Sequence, residues 1–243
     1  MDDVKLKRYQ KKLDHSYTLG AEPTMDLLQN RADVAIEVLL HTSGIDREDV
    51  KEVIGKCEAA GVSHRYANGE IEKLSSKENT YVVGVFRKFK SKVEQGSDHV
   101  LLVNPKDPGN LGTVIRTMVC FDLHNLAIIS PAVDHFNPTV LSAAMGSFFR
   151  ANIEVFESID EYQATHNNAL YTFVLDGDES FDAVEYESPF TLVFGNEGEG
   201  LSAESSTLGR RVYIGQSDDF DSLNLSVSAG IAIREATKTK FSK

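Results

Sequence analysis

The sequence predicts an α/β protein whose larger part is a doubly wound parallel sheet covered by helices. Two observations predict this class. The first is that six short, mostly apolar runs in residues 99–243 alternate with segments in which apolar residues recur at helical spacing. The second is that these runs are continuous and short, which is typical of parallel strands that are buried on both faces. The chain has 243 residues, of which 41% are apolar, and this allows two domains with their own cores.

The first part of the chain predicts a smaller unit of mixed strands and helices. Apolar runs predict three strands, at 34–40, 62–66 and 81–86. Helical spacing and helix-end signals predict two helices, over 46–60 and 69–74. The first helix is expected to end before Gly61, because glycine commonly follows a helix C-terminus. The lysine-rich polar segment 87–98 predicts a linker, so we expect one domain over 1–97 and a second over 98–243.

The second part predicts strands and helices in regular alternation. Six strands are expected, at 99–103, 126–129, 153–156, 171–175, 191–194 and 212–214. Four helices are expected, over 110–120, 138–149, 159–166 and 224–240. The last helix carries Arg234, Lys238 and Lys240 near its end, where cations interact favourably with the helix dipole. This order of elements is typical of a parallel sheet with helices on both faces.

Composition excludes several classes of protein. No apolar run approaches the roughly 20 residues that cross a bilayer, and the start at Met1-Asp2-Asp3-Val4 is unlike a signal peptide. Cys57 and Cys120 lie far apart with no partner at metal-ligand spacing, so we expect free thiols and no metal. These features exclude membrane, disulfide-linked secreted and disordered proteins. They predict a cytoplasmic location and no membrane partner.

The charge is distributed unevenly along the chain. Residues 1–98 hold 16 Lys and Arg against 17 Asp and Glu, whereas residues 99–243 hold 9 against 20. Two basic clusters stand out, Lys5, Lys7, Arg8, Lys11 and Lys12 and then Arg87, Lys88, Lys90 and Lys92. They are explained either by a solvated helix face and a linker or by a phosphate-binding patch on the first unit. Charge alone leaves the partner open.

Three loops that follow predicted strands are rich in Gly, Asn and Ser, and ligands of open α/β sheets bind at such loops. In the loop at 104–116, two prolines and two glycines lead into a helix, with Asn110 as its expected N-cap and Arg116 about one and a half turns later. A stiff turn with a capping Asn and a surface Arg would give the same pattern.

The second loop, at 195–200, is neither a dinucleotide fingerprint nor a P-loop. Glu197 and Glu199 would repel a pyrophosphate, so the loop suits a ligand with hydroxyls or positive charge, unless it is only a flexible turn. In the third loop, Ser222 and Asn224 stand where the last helix should begin. Both residue types are common N-caps, but a cap needs only one of them.

Taken together, the three loops resemble the SpoU/TrmH branch of the SPOUT RNA methyltransferases. The matching motifs are N-x-x-D-P-x-N-x-G-x-x-x-R at 104–116, G-N-E-G-x-G-L at 195–201 and S-L-N-x-S-V-x-x-G-I at 222–231. The resemblance implies an α/β-knot methyltransferase domain with a deep trefoil knot, which periodicity cannot reveal. The first unit is similar to the family's N-terminal RNA substrate-binding domain, a small α/β/α domain like ribosomal proteins that bind kinked RNA.

The resemblance implies transfer of a methyl group from S-adenosylmethionine to a ribose 2′-hydroxyl of RNA. Ribosomal RNA is favoured over transfer RNA, because members with such an N-terminal extension more often act on ribosomal RNA. The resemblance also implies a homodimer that packs through the knot. The cofactor is expected to contact, mainly through backbone groups, Phe194, Gly195, Asn196, Gly200, Ile214, Gln216 and Leu223.

Five residues match the family's catalytic positions. Arg116 is always protonated, so we expect it to position the RNA phosphate and stabilise developing alkoxide charge rather than to accept a proton. Ser222 and Asn224 match the polar pair that orients the nucleophile and the arginine. Glu197 is expected to order its loop and to hold Arg116 or a partner side chain. Asn110 matches a substrate-side Asn that often acts across the subunit interface.

RNA contact by the first unit is expected through Lys5, Lys7, Arg8, Lys11, Lys12, Arg87 and Lys88. The chain departs from the family where Ile214-Gly215-Gln216 replaces the usual Ile-Pro-Met and Asp218-Asp219 replaces a later glycine. Because glycine lacks the fixed φ of proline, we expect a more mobile loop and weaker cofactor binding. A non-catalytic RNA-binding homologue is therefore an alternative. A nucleotide-binding hydrolase or oxidoreductase is disfavoured, since both phosphate fingerprints are missing.

Overall fold

The computed structural model describes residues 6–75, 77–217, 219 and 221–241. These residues form two compact units. The first unit contains the chain up to Phe89 together with Asp134–Phe149, and the second contains Lys90–Val133 and the chain from Arg150 onward. The segment 134–149 thus packs with the first unit, whereas the sequence placed it in the second domain.

The strands of the described residues are β1 (His15–Leu19), β2 (Ala35–Leu40), β3 (Ser63–Tyr66), β4 (Val82–Arg87), β5 (His99–Val103), β6 (Asn125–Ile129), β7 (Asn152–Phe156), β8 (Ala169–Phe173), β9 (Glu179–Ser180), β10 (Phe190–Phe194) and β11 (Arg210–Tyr213). The α-helices are α1 (Ala21–Asn30), α2 (Glu48–Ala60), α3 (Asn68–Leu74), α4 (Pro108–Cys120), α5 (Pro138–Ala144), α6 (Ile159–Gln163) and α7 (Leu225–Ala236). None of these helices has the length and the apolar character needed to cross a membrane.

The second unit contains a seven-stranded sheet in the order β7-β6-β5-β10-β8-β11-β9. Every strand pair in it is parallel, as predicted. The order changes direction between β5 and β10, which is the position where ligands bind in open α/β sheets. Because the strands are parallel, the loops after β5, β10 and β11 all leave from the same edge of the sheet.

The first unit contains a four-stranded sheet in the order β1-β4-β2-β3. β4 runs antiparallel to both β1 and β2, and β3 runs parallel to β2. The predicted strands β2, β3 and β4 and the predicted helices α2 and α3 are confirmed within a few residues. The sequence did not predict β1 or α1, because the buried face of β1 includes the polar residues Ser16 and Thr18.

Several predicted boundaries differ from the structure. The helix expected over 138–149 ends at Ala144, because Met145 and Gly146 take the left-handed conformation, with φ of 46° and 78°. The helix expected over 224–240 ends at Ala236. The strand expected at 171–175 lies two residues earlier, and Leu175 beyond it is 66% exposed.

Aromatic packing explains why the segment 134–149 joins the first unit. Phe136, Phe148 and Phe149 form edge-on or tilted ring contacts with Phe86 and Phe89. Burying such rings contributes about 1.5–3 kcal/mol each relative to leaving them in water. The sequence placed Phe148 and Phe149 in a predicted helix and Phe136 just before it, and gave no signal of the unit against which they pack.

A polar cluster holds the start of the same segment. The carboxylate of Asp134 accepts hydrogen bonds from the Tyr9 hydroxyl and, at 3.0 Å, from the Lys88 ammonium. The Lys88 and Asp134 side chains are only 16% and 12% exposed. Burial raises the pKa of Asp134, but the hydrogen bonds from Tyr9, Phe136 and Lys88 outweigh it, so the net pKa lies below its usual value. This carboxylate therefore stays charged and paired.

A buried hydrogen-bond network lies under the larger sheet. His99 Nε2 is 2.8 Å from the Glu94 carbonyl oxygen, so this nitrogen carries a proton. His99 Nδ1 lies 2.7 Å from the Tyr162 hydroxyl, which in turn lies 2.7 Å from the Thr191 hydroxyl. Burial lowers the pKa of His99, which favours the neutral imidazole. In that state Nδ1 accepts from the Tyr162 hydroxyl, and the Thr191 hydroxyl donates to Tyr162.

We expect the protein to lose stability as the pH falls from 7.5 to 5. Burial lowers the pKa of His99, His135 and His166 in the folded state, so the unfolded chain binds more protons below about pH 6.5. Each of these groups contributes a slope of at most about 1.4 kcal/mol per pH unit. Urea unfolding at several pH values measures this slope. His99→Gln should flatten it, and an unchanged slope in this variant would contradict the contribution of His99.

Candidate active site

The three loops singled out in the sequence leave from the carboxyl edge of the larger sheet. The loop after β5 leads into α4, the loop after β10 contains Gly195–Gly200, and the segment after β11 leads into α7. Asn104 begins the first loop with φ of 51°, a left-handed conformation that Asn tolerates better than most residues. Its side-chain amide donates to the Pro131 carbonyl oxygen at 3.3 Å, which ties this loop to the end of β6.

The N-cap of α4 is Asp107 and not Asn110 as we predicted. The Asp107 carboxylate accepts from the Asn110 backbone N–H at 2.7 Å, and Pro108 occupies the first helical position. Proline fits there because that position needs no N–H donor. Since Asp107 caps the helix, the side chain of Asn110 is left for other contacts.

Glu197 joins the second loop to the first. Its Oε2 accepts from the Lys106 backbone N–H at 3.2 Å. Its Oε1 accepts from the Asp107 backbone N–H at 3.2 Å and from the Asn110 amide at 3.1 Å. Partial burial raises the pKa of Glu197, but these hydrogen bonds outweigh it and the net pKa lies below its usual value. The carboxylate is therefore ionised at neutral pH.

Asn224 joins the third loop to the other two. Its amide Nδ2 donates to Asn110 Oδ1 at 3.0 Å, and its Oδ1 accepts from the Ser226 backbone N–H at 2.8 Å. Asn224 is thus the N-cap of α7, and Ser222 is not. The hydrogen-bond chain from Glu197 through Asn110 to Asn224 connects all three loops. We call these three hydrogen-bonded residues, Glu197, Asn110 and Asn224, the loop clasp.

The glycine-rich loop folds back on itself. Asn196 and Gly200 exchange two backbone hydrogen bonds, at 3.3 and 3.2 Å, and the Asn196 side chain accepts from the N–H groups of Gly198 and Glu199 at 2.9 Å. A Cβ on Gly195 would overlap the backbone of Gly200 and Leu201. Only glycine fits at position 195, so backbone rather than side chains lines this part of the loop.

The third loop is described at residues 214–217, 219 and 221–223. Ile214 and Leu223 are half-buried, and a Cβ on Gly215 would have open space around it. Among the described residues, the backbone N–H groups of Ile214, Gly215 and Leu223 have no acceptor. The Gln216 side chain donates to the Asp221 carbonyl oxygen at 3.4 Å. Asp218 of the predicted acidic run lies outside the described residues.

Phe194 lies at the end of β10 and is almost fully buried, with 2% exposed. Its ring stacks on Phe173 of the neighbouring strand β8, with centroids 4.7 Å apart and planes 15° apart. Phe194 is therefore packed inside the sheet, directly before the loop that begins at Gly195. The sequence did not single out Phe173.

Two predicted catalytic residues stand outside the loop clasp. Arg116 is exposed on α4, and no hydrogen bond or ion pair to a described residue holds its guanidinium. Ser222 is also exposed and makes no hydrogen bond within the described part of the chain. Glu197 holds Asn110 and two backbone groups and does not hold Arg116. The first, second and third loops thus meet, while Arg116 and Ser222 remain free to contact a ligand.

A family model for "SpoU rRNA Methylase family" matches residues 98–234 of this chain. The match covers more than half of the chain and includes every residue of the loop clasp. The chain belongs to the SpoU rRNA Methylase family.

Three comparisons with SpoU family relatives are informative. An uncharacterized tRNA/rRNA methyltransferase of Synechocystis is 28% identical over 146 residues, which are 58% of this chain and 53% of the relative. The 23S rRNA (guanosine(2553)-2′-O)-methyltransferase RlmP of Bacillus subtilis is 32% identical over 143 residues, which are 55% of this chain and 56% of the relative. The chain thus spans about half the length of these curated relatives.

A solved rRNA methyltransferase from Sinorhizobium meliloti has the same fold. It superposes with a TM-score of 0.80 at 25% identity, over 96% of this chain and 92% of the other. A second structure of the Sinorhizobium protein, bound to AdoMet, gives a TM-score of 0.78 at the same identity and covers 94% and 89%. The likeness spans both units of the described chain.

Sequence reasoning within the SpoU motif missed Asp107 and the backbone N–H groups of Lys106 and Asp107. The signal was present, because Asp followed by Pro is a typical N-cap and first helical residue. The contact of Lys106 and Asp107 with Glu197 had no such signal. It joins positions about 90 residues apart and depends on the pairing of β5 with β10.

The basic residues predicted for RNA binding lie in the first unit, except Lys5, which is outside the described residues. Lys7, Arg8, Lys11, Lys12 and Arg87 are exposed. The Lys88 ammonium instead binds the Asp134 carboxylate and, at 2.8 Å, the Lys11 carbonyl oxygen. Lys88 thus connects the two basic clusters and has a structural role. Its charge is already neutralised by Asp134.

We expect Glu197→Gln to loosen the first loop. The Glu197 carboxylate has two acceptor oxygens, which together accept from two backbone N–H groups and from Asn110. A glutamine side chain has only one acceptor oxygen for these three donors. The amide protons of Lys106 and Asp107 should therefore exchange with solvent about fivefold faster, as expected for the loss of roughly 1 kcal/mol. Hydrogen exchange followed by mass spectrometry measures this.

Glu199→Gln is the matched control for this measurement. Glu199 lies two residues away, and its carboxylate is 3.6 Å from the Lys106 ammonium without contacting the loop backbone. Unchanged exchange in the Glu199 variant and faster exchange in the Glu197 variant are expected. Equal exchange rates in the two variants would contradict the role of Glu197.

Proposed function

We propose that this protein transfers a methyl group from S-adenosylmethionine to a ribose 2′-hydroxyl of RNA, with ribosomal RNA favoured over transfer RNA. The observation that carries the proposal is the loop clasp, in which Glu197, Asn110 and Asn224 join the three family motifs at one sheet edge. The relatives support the proposal, since the name of the Bacillus subtilis protein includes 2′-O-methylation of 23S rRNA. The Sinorhizobium protein binds AdoMet.

The residues of the second and third loops fit such a cofactor. Gly195 leaves no room for a side chain, and the backbone N–H groups of Ile214, Gly215 and Leu223, which have no acceptor among the described residues, are suitable donors to a bound ligand. The second loop carries the carboxylates of Glu197 and Glu199, which favour a cationic ligand over a phosphate. When bound, the cofactor supplies a methyl group on a positively charged sulfur. We propose Phe194, Gly195, Asn196, Gly200, Ile214, Gln216 and Leu223 as the residues around it.

The chain's own residues have two tasks in this reaction, to orient the ribose hydroxyl and to stabilise its negative charge as the proton leaves. The exposed Arg116 guanidinium suits the second task, because it is always charged and no described partner neutralises it. Ser222 and Asn110 suit the first task. Asn224 donates to the amide oxygen of Asn110, and Glu197 accepts from the amide nitrogen of Asn110, so this amide is held at both of its polar atoms. Orientation of this kind can supply much of the rate enhancement.

We extend the proposal to the finer features of the family. These are the trefoil knot in the second unit, a homodimer that packs through it, and a cytoplasmic location. Support for the dimer comes from α7, where Val227 is 49% exposed beside the small residues Ser226, Ser228 and Gly230. The first unit is proposed as the RNA substrate-binding domain, with its exposed lysines and arginines as contacts to phosphates.

We expect Arg116→Ala to reduce methyl transfer by about 100-fold or more, the typical cost of removing one donor that stabilises transition-state charge. The measurement is transfer of labelled methyl from S-adenosylmethionine to unmodified ribosomal and transfer RNA. Label at an alkali-resistant linkage identifies the 2′-oxygen as the acceptor. Arg234→Ala is the control, since Arg234 is exposed at the far end of α7, about 15 Å along the helix from Asn224.

The outcomes of this assay separate the two functions that the sequence left open. Label in one RNA class that is lost in the Arg116 variant and kept in the Arg234 variant supports the enzyme. No label in either class from a folded protein that binds RNA would favour the non-catalytic homologue. Equal activity of the two variants would contradict the role of Arg116.

We expect the triple variant Lys7→Gln, Lys11→Gln, Lys12→Gln to bind RNA more weakly and with a flatter salt dependence. Each lost phosphate contact reduces the slope of log affinity against log salt by about 0.7–0.9. Filter binding of ribosomal RNA at several salt concentrations measures the slope. The control removes three exposed lysines elsewhere in the unit, Lys51, Lys73 and Lys77. An unchanged slope in the first variant would contradict this role for the cluster.

A further inference from the structure

A cleft of about 420 Å³ opens at one edge of the smaller sheet. Given the strand directions, the carboxyl ends of β1, β2 and β3 and the amino end of β4 all lie at this edge. Ligands of open α/β sheets typically bind at carboxyl strand ends, and the volume is within the range of small-ligand sites. The cleft lies entirely within the first unit and is lined by Gly20, Ala21, Arg47, Asp49, Asn79 and Tyr81, among others.

The guanidinium of Arg47 is held in place at the wall of the cleft. Its Nε and Nη2 each donate to the Asp49 carboxylate at 2.9 Å. The guanidinium carbon lies 5.0 Å from the centre of the Tyr81 ring, a cation–π contact. These contacts leave Nη1 without an acceptor among the described residues. Arg47 therefore presents two fixed N–H donors, and its charge is balanced by Asp49.

The amide of Asn79 is oriented in a similar way. The Tyr81 hydroxyl donates to Asn79 Oδ1 at 3.0 Å, and the amide Nδ2 has no acceptor within the described part of the chain, so it can donate to a ligand. Tyr81 is itself fixed, because its Cβ and ring lie against Gly44, where a Cβ would come within 2.6 Å. An aromatic ring, a guanidinium and an amide are thus held together on one wall.

We propose that this cleft binds one unpaired base of the RNA substrate. The inference rests on the proposed function and names the part of the RNA that the first unit recognises. Guanidinium and amide groups read the edges of bases, and unpaired bases of RNA are the ones that proteins contact in this way. The start of α2 carries Asp46, Glu48 and Asp49, which disfavour a phosphate. Tyr66 and Ile45, 48% and 47% exposed at the same edge, offer apolar surface to neighbouring bases.

The cleft is separate from the basic cluster. Arg87 lies at the carboxyl end of β4 and pairs with His15 at the amino end of β1, so this cluster occupies the opposite edge of the sheet. The two edges therefore make different contributions to RNA binding. Removing lysines at one edge reduces the salt slope, whereas removing the uncharged Asn79 amide from the cleft lowers affinity with the slope unchanged.

The experiment measures the affinity of an in vitro transcribed 23S ribosomal RNA for wild type, Arg47→Gln and Asn79→Gly over a range of salt concentrations, without cofactor. Glycine is chosen because Asn79 has φ of 64°, which glycine adopts without strain. Each variant should bind about tenfold more weakly, as expected when one base contact is lost, and the salt slope should be unchanged in Asn79→Gly, which alters no charge. Lys51→Gln, an exposed cation on the same helix outside the cleft, should stay within twofold.

Competition identifies the ligand as an unpaired base. A single-stranded oligonucleotide from the 23S sequence should displace the transcript better from wild type than from the cleft variants, and its duplex form should compete poorly. Unchanged affinity of both cleft variants, or equal competition by the duplex, would overturn the inference. Methyl transfer is measured separately. If the cleft variants lose RNA binding but the wild type transfers no methyl group, only the proposed activity is wrong. If the cleft variants bind RNA and transfer the methyl group normally, only the inference is wrong.

Discussion

The candidate active site depends on one carboxylate. Glu197 accepts two backbone N–H groups and one amide N–H from the loop after β5, and Asn110 passes this constraint to Asn224 at the start of α7. The contact exists because β5 and β10 are adjacent parallel strands whose loops leave the sheet together. A charged acceptor that is shared by several donors is stronger than separate neutral hydrogen bonds. The loops are therefore positioned before any ligand arrives, which reduces the ordering cost of binding.

The sheet that carries this site could be predicted from sequence, because its strands are continuous apolar runs. Such short runs are typical of parallel strands that are buried on both faces. Local chemistry also limited the N-cap of the last helix to Ser222 or Asn224, and the structure shows that it is Asn224. The contacts of Glu197 did not, since hydrogen bonds between loops depend on strand order, which the pattern of apolar residues does not encode. β1 was missed for a related reason, because its buried Ser16 and Thr18 find partners in Phe136 and in Thr24 and Gly84. Polar residues that are satisfied by distant contacts look like loop residues in a sequence.

The uneven distribution of charge between residues 1–98 and 99–243 is explained by the two units of the structure. The second part has a large excess of acidic residues, and several of them surround the candidate cofactor loops. Such surroundings attract a cationic sulfonium and repel RNA phosphates. For the proposed RNA substrate, contact with phosphates is therefore expected from the first unit, where Lys7, Lys11 and Lys12 are exposed. Lys88 does not add to this attraction, because Asp134 neutralises it while holding the segment 134–149. Counting cations in a sequence overestimates the charge that remains for a partner.

The departure at Gly215-Gln216 has two opposing effects on the third loop. Replacing a proline with Gly215 gives the unbound loop more conformations, which have to be lost when a ligand orders it. The Gln216 side chain acts in the other direction, since its hydrogen bond to the Asp221 carbonyl closes the loop across five residues. A single hydrogen bond of this length contributes at most about 1 kcal/mol, similar to the effect of one glycine-for-proline change. The two effects are therefore of comparable size, and the substitution by itself does not require loss of cofactor binding.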